Sequence, residues 1–505
     1  MNKRRVLIIL LSAGLLFRLA FLFSFSQTVF FDPSYLDKYD QKTFHIWAQQ
    51  IQEDPVTGNN EVFYMAPLYP HFLAFLYAIS GNSIIFVTLV QIVLDLLTGY
   101  FLYLLGKTLF DEPTGFIALA GYMFYRTAVV YAGAILSDSL ILFLNISFIL
   151  SLYSALKKKR WHVWIGSGII LGFAALAKPT ILAFFPFFLI GLSLYPDPVI
   201  TPFASTRRIH HLFFATLASL AGAAIIILPV TLRNFFIGGT FVPICTNGPI
   251  NWIISNSADS TGLFMYPKER LLSVLEPQFW HLQLTKTLFF FNSYEWPQNL
   301  DVQLLDRLLP VLKAGFVRFG LVVPLGIVGL VVAARSKKRF LFLSFTLIQI
   351  LWVVLFFVTD RFRLPAIACF MLFAAYTIRI IFLDIKEKKI ARGAAILLAA
   401  GLWAFFFNPP PGALIPETQY RIYASLTKKV VAMELQSSKL RLAEKQSRDY
   451  LYLLPSDPDS HFLLACVLHE KGDIPGALRS LQETLRIDPN HRLAQEYFST
   501  LSSPL

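Results

Sequence analysis

The residues best suited to chemistry lie in the first polar gap between apolar runs, at about residues 32–70. The gap holds six carboxylates against two lysines and is rich in aromatic residues. A carboxylate in such a loop can take a proton from a hydroxyl or an amine. Asp40 is the first candidate for this general base, and Asp37, one helical turn earlier, is its rival.

Basic residues elsewhere in the chain indicate an anion site. Arg361 and Arg363 flank Phe362 at the start of one apolar run, and Lys178 ends another. In the topology derived below all three lie outside the membrane, where the positive-inside rule does not explain them. We therefore expect them to bind a phosphate, together with Arg233; for Lys178 the alternative is a snorkelling side chain.

Acidic and amide residues also occur at the ends and in the middle of apolar runs. Asp138 opens a run on the outer side, either as a charge that stabilises the helix N-terminus or as a site residue. Asp95 and Asn145 lie inside runs, where we expect interhelical hydrogen bonds.

The composition excludes an ordinary soluble protein. The chain has 505 residues, of which 56% are hydrophobic and 15% charged. Its net charge of +13 lies in short clusters between apolar runs, which argues against nucleic acid as a partner. Many runs approach the roughly 20 residues that span a bilayer. We predict about eleven spans, at 6–25, 83–106, 114–134, 138–156, 161–178, 180–195, 211–231, 314–334, 340–358, 364–383 and 393–408.

The basic clusters orient these spans. They precede residue 6 and recur near residues 157–160, 207–208, 335–339 and 386–392, and the positive-inside rule places them all in the cytoplasm. An odd number of spans then puts the C-terminus outside. The alternative that the first helix is a cleaved signal peptide leaves the other orientations unchanged.

Two outer loops separate the spans, at about 26–82 and 233–310. In the first loop the spacing of apolar residues predicts a helix over 43–52, and residues 67–79 form an apolar piece too short to span. The second loop is rich in Asn, Gly, Pro and Trp, so we expect an ordered but irregular segment.

The C-terminal region has a different character. Pro409–Gly412 is typical of a linker, and Pro455 and Pro489 are 34 residues apart, the tetratricopeptide period. We predict a tetratricopeptide-like domain at 416–505 on the outer face, with a degenerate repeat, a good repeat and a capping helix. We expect this domain to bind a peptide or protein, and the alternative is that it serves as a rigid cap. Because the chemical motifs precede it, we expect it to be dispensable for chemistry.

The three cysteines show neither a disulfide framework nor zinc spacing. No cofactor is indicated with certainty. A divalent metal stays open, because Asp37 and Asp40 are three residues apart and could share one.

Six short motifs occur in order on the predicted outer face. Asp40 precedes Phe44-His45-Ile46-Trp47-Ala48 by four residues, and Asp138 opens the fourth span. The others are Met65-Ala66-Pro67-Leu68-Tyr69-Pro70, Gly172 to Pro179 with Lys178, Arg233-Asn234-Phe235 with Asn247-Gly248-Pro249-Ile250-Asn251, and Arg361-Phe362-Arg363-Leu364-Pro365. In these motifs residues 5–385 resemble bacterial membrane glycosyltransferases of the GT-C fold, the group of protein O-mannosyltransferases and the lipid A aminoarabinose transferase.

The resemblance implies an inverting transfer of a sugar from a polyprenyl-phosphate donor to an acceptor in a protein, lipid or glycan. It makes Asp40 and Asp138 catalytic and assigns the donor phosphate to Lys178, Arg233, Arg361 and Arg363. Further candidate site residues are Asp37, His45, Tyr69, Asn247 and Asn251. Pro249 and Asp138 depart from the usual Gly and Glu, and neither the sugar nor the acceptor is defined.

The resemblance also implies a multi-pass protein of the bacterial cytoplasmic membrane, with membrane lipids around it and a cytoplasmic N-terminus. Two other classes remain open. A transporter or flippase of lipid-linked sugars requires polar residues through the membrane midplane, and the charges here lie at the outer ends instead. A non-catalytic scaffold would use only the C-terminal repeats.

Overall fold

The computed structural model describes residues 2–37, 39–54, 61–195, 205–264, 266–407 and 417–502, apart from the side chains of 205–209, 211 and 417–422. Within these residues it contains 22 α-helices and no β-strand, which confirms the all-α, polytopic fold class. In chain order the helices are α1 (Lys3–Phe25), α2 (Asp40–Glu53), α3 (Leu68–Ser80), α4 (Ile84–Leu109), α5 (Glu112–Met123), α6 (Arg126–Ala132), α7 (Asp138–Lys158), α8 (Trp161–Ala177), α9 (Phe185–Leu194), α10 (Ser205–Gly238), α11 (Gly248–Asn256), α12 (Pro277–Phe291), α13 (Val302–Leu308), α14 (Phe319–Ala333), α15 (Phe340–Leu355), α16 (Asp360–Lys386), α17 (Ile390–Phe407), α18 (Glu417–Gln436), α19 (Leu440–Leu453), α20 (Pro458–Glu470), α21 (Ile474–Ile487) and α22 (Arg492–Ser502).

Seven helices among the described residues are long and apolar enough to cross a membrane: α1, α4, α7, α10, α15, α16 and α17. They coincide with seven of the eleven predicted spans. Three more predicted spans fall on shorter apolar helices, namely α8, α14 and the segment Pro179–Leu194 that includes α9. The apolar piece predicted to be too short to span is α3.

The predicted span at 114–134 is wrong as a single helix. α5 ends at Met123 and α6 begins at Arg126. At the break, the backbone N–H of Arg126 donates to the carbonyl of Val317, and the N–H of Val317 donates to the carbonyl of Phe124, both at 3.3 Å. The helix is interrupted because a distant segment takes these backbone groups, which local sequence does not reveal.

The second outer loop is more regular than its composition indicates. It contains α11, α12 and α13, where we expected irregular structure. α12 begins with Pro277 at a position where the ring is tolerated and buries Phe279, Leu282 and Phe290 on one face. Phe279 and Leu282 pack with Leu272 and Trp252. The 3.6-residue period was therefore present in the sequence but was outweighed by the Asn, Gly and Pro content around it.

The chain divides into two compact units. The first contains residues 1–21, 43–306 and 310–409, and the second contains residues 22–42, 307–309 and 410–505. The predicted linker at 409–412 and the domain boundary at 415–416 lie outside the described residues.

The second unit contains the helical pairs that the 34-residue period predicts. α18 and α19 form one pair, α20 and α21 the next, and α22 follows. Asp457 and Asp473 cap α20 and α21 by accepting backbone N–H groups at 3.1 and 2.9 Å. Gly472, with φ of +81°, makes the turn within the second pair. That these pairs are tetratricopeptide repeats stays a prediction.

A buried ion pair links three helices of the first unit. Arg18 of α1 donates from Nε to Asp95 Oδ2 of α4 at 2.6 Å and from Nη1 to the Met123 carbonyl of α5 at 2.9 Å. Tyr122 donates to the other carboxylate oxygen of Asp95. Asp95 thus makes the interhelical hydrogen bonds that we expected, and Arg18 is the partner that the sequence analysis missed.

Replacing Asp95 by Asn should destabilise the protein strongly. The change leaves the fully buried Arg18 without a counter-charge, which typically costs about 3–5 kcal/mol. The thermal midpoint in detergent measures the effect. The double variant Arg18→Met/Asp95→Leu should unfold at a higher temperature than Asp95→Asn; if the double variant were the less stable, the buried-charge explanation would fail.

Candidate active site

Arg361 and Asp138 form a buried ion pair where the first turns of two helices meet. Asp138 opens α7, and Arg361 is the second residue of α16. The Arg361 Nε atom donates to Asp138 Oδ1 at 3.2 Å, and the two residues are only 4% and 6% exposed. A charge buried this far from water is costly unless an opposite charge pairs with it. The structure therefore joins a predicted catalytic carboxylate to a predicted phosphate-binding arginine.

Two further predicted residues lie beside this pair. Lys178, directly after α8, places Nζ 4.0 Å from the ring centroid of Phe362 and interacts electrostatically with Asp138 and Arg361. Tyr69 of α3 interacts with the same two charges and donates its hydroxyl to Gln91 Oε1 at 2.7 Å. The cluster of Tyr69, Asp138, Lys178 and Arg361, hereafter the pair cluster, thus brings two cations together. Guanidinium and ammonium groups form charge-assisted hydrogen bonds to phosphates and carboxylates, so the cluster contains donors suited to an anion.

Asp360 sets the start of α16. Its Oδ1 atom accepts hydrogen bonds from the Tyr131 hydroxyl at 2.6 Å and from the backbone N–H of Arg361 at 2.7 Å. Its own N–H donates to the Trp296 carbonyl at 2.8 Å. The sequence analysis missed Asp360 and Tyr131. The sequence contained a signal for Asp360, because an aspartate next to two arginines at the end of an apolar run indicates a specific role.

Arg363 has a different environment from Arg361. Its Nη1 donates to the carbonyls of Phe290 and Asn292 at 3.2 and 2.7 Å, and its Nη2 donates to the Tyr294 carbonyl at 2.6 Å and to Glu295 Oε2 at 2.9 Å. The residue is fully buried. Both Nη atoms are thus occupied by protein oxygens, which argues against the predicted role in phosphate binding.

The separation of the two arginines follows from helix geometry. Residues two apart on an α-helix point to opposite sides, so Arg361 and Arg363 cannot face the same ligand once the segment is helical. Glu295, which neutralises Arg363, also accepts a hydrogen bond from Thr127 Oγ1 at 2.7 Å. The sequence analysis missed Glu295 because a lone acid in a loop carries no pattern.

Arg233 and Asn247 join the two outer loops. The Arg233 guanidinium lies 3.8 Å from the ring centroid of Phe63, and its Nη1 donates to the Glu61 carbonyl at 3.1 Å. The backbone N–H of Asn247 donates to the Tyr64 carbonyl at 3.0 Å. Asn251 lies one helical turn later on α11 and donates its N–H to the Asn247 carbonyl. Arg233 and Asn247 therefore hold residues 61–64 of the first loop against the second, and Asn251 bonds within the second loop.

His45 lies at the contact between α2 and α3. Its Nδ1 atom is 2.7 Å from the hydroxyl of Tyr77. One residue earlier, the ring of Phe44 packs edge-on against Tyr69, with centroids 5.0 Å apart. The aromatic-His-x-Trp-Ala motif thus positions α2 on the helix that carries Tyr69.

Asp37 and Asp40 both belong to the second unit. Asp40 is the first residue of α2 and is half-buried. Asp37 is exposed, and its two carboxylate oxygens accept hydrogen bonds from Lys42 and from Lys429 of α18. These hydrogen bonds, with Lys42 contributing most, lower the pKa of Asp37 to about 2. A carboxylate with such a pKa is a weak base, which favours Asp40 over its rival.

The metal hypothesis finds little support in these contacts. Among the described residues, no group of three or more His, Cys, Asp or Glu side chains is placed to hold a metal ion. Each oxygen of Asp37 already faces a lysine ammonium, which does not fit a cation shared with Asp40. A divalent metal therefore stays a prediction, and no step below depends on it.

The second outer loop contains a buried lysine that the sequence analysis missed. Lys286 Nζ donates to Asn256 Oδ1 at 2.9 Å, and Gln283 Nε2 donates to the same oxygen at 2.8 Å. Burial lowers the pKa of Lys286 to about 7. The Asn256 amide in turn donates to the Leu355 carbonyl at 3.1 Å, so the cluster ties α12 to the ends of α11 and α15.

Part of the chain matches a known family. Residues 65–232 match the model of the dolichyl-phosphate-mannose-protein mannosyltransferases, a region that includes Tyr69, Asp138 and Lys178. Together with the all-α, multi-span fold, this match supports a membrane glycosyltransferase of the GT-C class. A comparison with curated proteins gives no match.

Solved structures with partial similarity include the oligosaccharyltransferase of Archaeoglobus fulgidus. Its crystal structure in complex with zinc and sulfate is 15% identical, with a TM-score of 0.46, and the match covers 84% of this chain and 55% of that one. The AglB structure of the same organism, in complex with an inhibitory peptide and a dolichol-phosphate, is 14% identical with a TM-score of 0.43 and coverages of 85% and 58%. The chain thus spans just over half the length of these proteins.

Replacing Arg363 by Lys should lower stability although the charge is kept. One ammonium cannot reach the four oxygens that the guanidinium fork contacts, so buried carbonyls lose their donors at about 1–3 kcal/mol each. The thermal midpoint in detergent should fall by several degrees. Arg379→Lys, at a half-exposed arginine of the same helix, is the matched control and should change the midpoint little. Equal midpoints for the two variants would contradict a structural role.

Proposed function

We propose that this protein is a membrane glycosyltransferase that moves a sugar from a polyprenyl-phosphate donor to an acceptor in a protein, lipid or glycan, with inversion at the anomeric carbon. The observation that carries the proposal is the pair cluster, in which Lys178 and Arg361 lie together beside Asp138. A phosphate monoester or diester is an anion that such a cluster can hold. The family match over residues 65–232 supports the same reaction class.

In the proposed mechanism the pair cluster binds the donor phosphate. Arg361 and Lys178 contact its oxygens and stabilise the negative charge that grows on them as the sugar leaves. Asp138 holds the Arg361 guanidinium in place by accepting a hydrogen bond from Nε. Tyr69 adds a hydroxyl beside the two charges. Arg363 takes no part in binding and positions the first turn of α16 against the second outer loop.

Asp40 is the proposed general base. It accepts the proton of the acceptor hydroxyl or amine as that group attacks the anomeric carbon. The bond from this carbon to the phosphate oxygen breaks, and its electron pair stays on the departing polyprenyl phosphate. Attack from the side opposite the phosphate inverts the configuration. The support for Asp40 is its distance of four residues from Phe44 and the engagement of its rival Asp37 by two lysines.

The proposed location is the bacterial cytoplasmic membrane, with the N-terminus in the cytoplasm and the C-terminal helical pairs outside. The distribution of basic clusters supports it. A flippase of lipid-linked sugars or a non-catalytic scaffold would not release polyprenyl phosphate. An assay of that release with membranes containing the protein separates the transferase from both alternatives.

Arg361 should determine affinity for the donor. Arg361→Lys keeps the charge but loses the fork that binds two phosphate oxygens, so the donor KM should rise about tenfold, as expected for one weakened charge-assisted contact. Arg361→Ala should bind donor more weakly still. Arg318→Lys, at an arginine that directly precedes α14, is the matched control and should keep the wild-type donor KM. Unchanged donor affinity in Arg361→Ala would show that the phosphate binds elsewhere.

Asp40→Asn should lower turnover without weakening donor binding. The amide keeps the size of the side chain and loses its basicity, so turnover should fall by about 10²–10⁴-fold, the usual effect of losing a general base. Release of polyprenyl phosphate is measured under saturating donor. Asp37→Asn should lower turnover less than Asp40→Asn. If Asp37→Asn abolished turnover and Asp40→Asn did not, the base would be Asp37; if neither did, the base would lie elsewhere, with Asp138 next.

A further inference from the structure

The segment that leads to Asp40 packs on the C-terminal helices of the second unit. The ring of Phe30 stacks on Tyr423 of α18, with centroids 5.8 Å apart and planes 30° apart. Both side chains are buried. Farther along the segment, Asp37 accepts a hydrogen bond from Lys429 of the same helix. An apolar contact and an ionic contact thus attach residues 30–37 to α18.

A series of tight turns connects this attachment to Asp40. The N–H of Leu36 donates to the Pro33 carbonyl, that of Asp37 to the Tyr35 carbonyl and that of Tyr39 to the Leu36 carbonyl, each at 3.1 Å. Leu36 itself is fully buried. Lys42 in the first turn of α2 closes the series from the other side by donating to Asp37. The position of the α2 N-terminus therefore depends on where Asp37 is held.

We propose that Lys429 is a positioning residue for the reaction: α18 holds Asp37 and thereby fixes Asp40 at the start of α2. The C-terminal helical region is then required for turnover itself. This inference rests on the proposed function, in which Asp40 is the base. It reverses the expectation that the region is dispensable for chemistry, which considered only where the motifs lie along the chain.

The charges around Asp37 suit such a role. Asp37 meets two cations, one from α2 and one from α18, and it stays ionised well into the acid range because its pKa is lowered. Exposed ion pairs of this kind contribute little to global stability. Loss of Lys429 should therefore leave the protein folded. What it removes is the electrostatic tether between α18 and the turn before Asp40.

The test compares a graded series at position 429 with a matched lysine. Lys429→Arg keeps the charge, Lys429→Met removes it, and Lys429→Glu repels Asp37. Lys471 is the control, because it forms an exposed ion pair with Glu444 inside the same unit. Full-length variants are assayed for release of polyprenyl phosphate, and hydrogen exchange is followed in peptides covering residues 26–42.

We expect turnover to fall about 10-fold to 100-fold in Lys429→Met, the cost of a misplaced catalytic group, and further in Lys429→Glu. Lys429→Arg should retain most activity, and donor KM should change less than about twofold throughout, since uniform binding is untouched. Exchange in residues 26–42 should rise in the Met and Glu variants. Lys471→Met should match the wild type in every measurement.

Three results would overturn the inference. They are full turnover in Lys429→Glu, losses of equal size in Lys471→Met, and unchanged hydrogen exchange in residues 26–42. Asp40→Asn, measured in parallel, separates this failure from failure of the proposed function. If Asp40→Asn is inactive while Lys429→Glu is active, the glycosyltransferase proposal stands and only the positioning role is wrong. If the wild type releases no polyprenyl phosphate, both proposals fall.

Discussion

A guanidinium buried among apolar helices must find oxygen atoms to replace the water that it has lost, and this requirement organises the first unit. Arg18 takes a carboxylate on α4 and carbonyls on α1 and α5. Arg361 pairs with the carboxylate of Asp138, and Arg363 pairs with Glu295 and donates to the carbonyls of Phe290, Asn292 and Tyr294. Because the free-energy cost of an unpaired buried charge is very high, each arginine requires the elements that carry its oxygen partners to pack against it.

The first turn of α16 shows how the same requirement separates two roles. Arg361 pairs with Asp138 and has a second cation, Lys178, beside it. Arg363 is saturated by protein oxygens. The second arrangement fixes the start of α16 to residues 290–295. Under the proposed function, Arg361 serves the ligand and Arg363 the scaffold.

The second unit contains residues from both the N-terminal and the C-terminal parts of the chain. A helical-pair domain added to a membrane enzyme is usually regarded as a recruiter of partners. Here residues 22–42 belong to the same compact unit as the C-terminal helices, joined by the Phe30–Tyr423 stack and by Lys429. A change in the position of α18 can therefore be transmitted to residues 30–42 through the ion pair between Lys429 and Asp37.

The sequence by itself determined the class of fold. Apolar runs of bilayer length and short basic clusters allow few alternatives to a multi-span helical protein, since every backbone group in lipid must be bonded within a helix. The 34-residue period likewise predicted helical pairs, and α18–α22 have that arrangement. The apolar residues of α12 also have helical spacing, but the Asn, Gly and Pro content of the surrounding loop led us to expect irregular structure there.

Only the tertiary structure decided which charges meet. The break between α5 and α6 depends on hydrogen bonds to Val317, nearly 200 residues away, and no local signal marks it. The pairing of Asp138 with Arg361 spans 223 positions, and Glu295 became meaningful only as the partner of Arg363. Local pattern reports the propensity and burial of one segment, whereas an ion pair depends on two segments that distant packing brings together. For that reason the sequence could identify candidate residues, but only the tertiary structure showed which of them pair with each other.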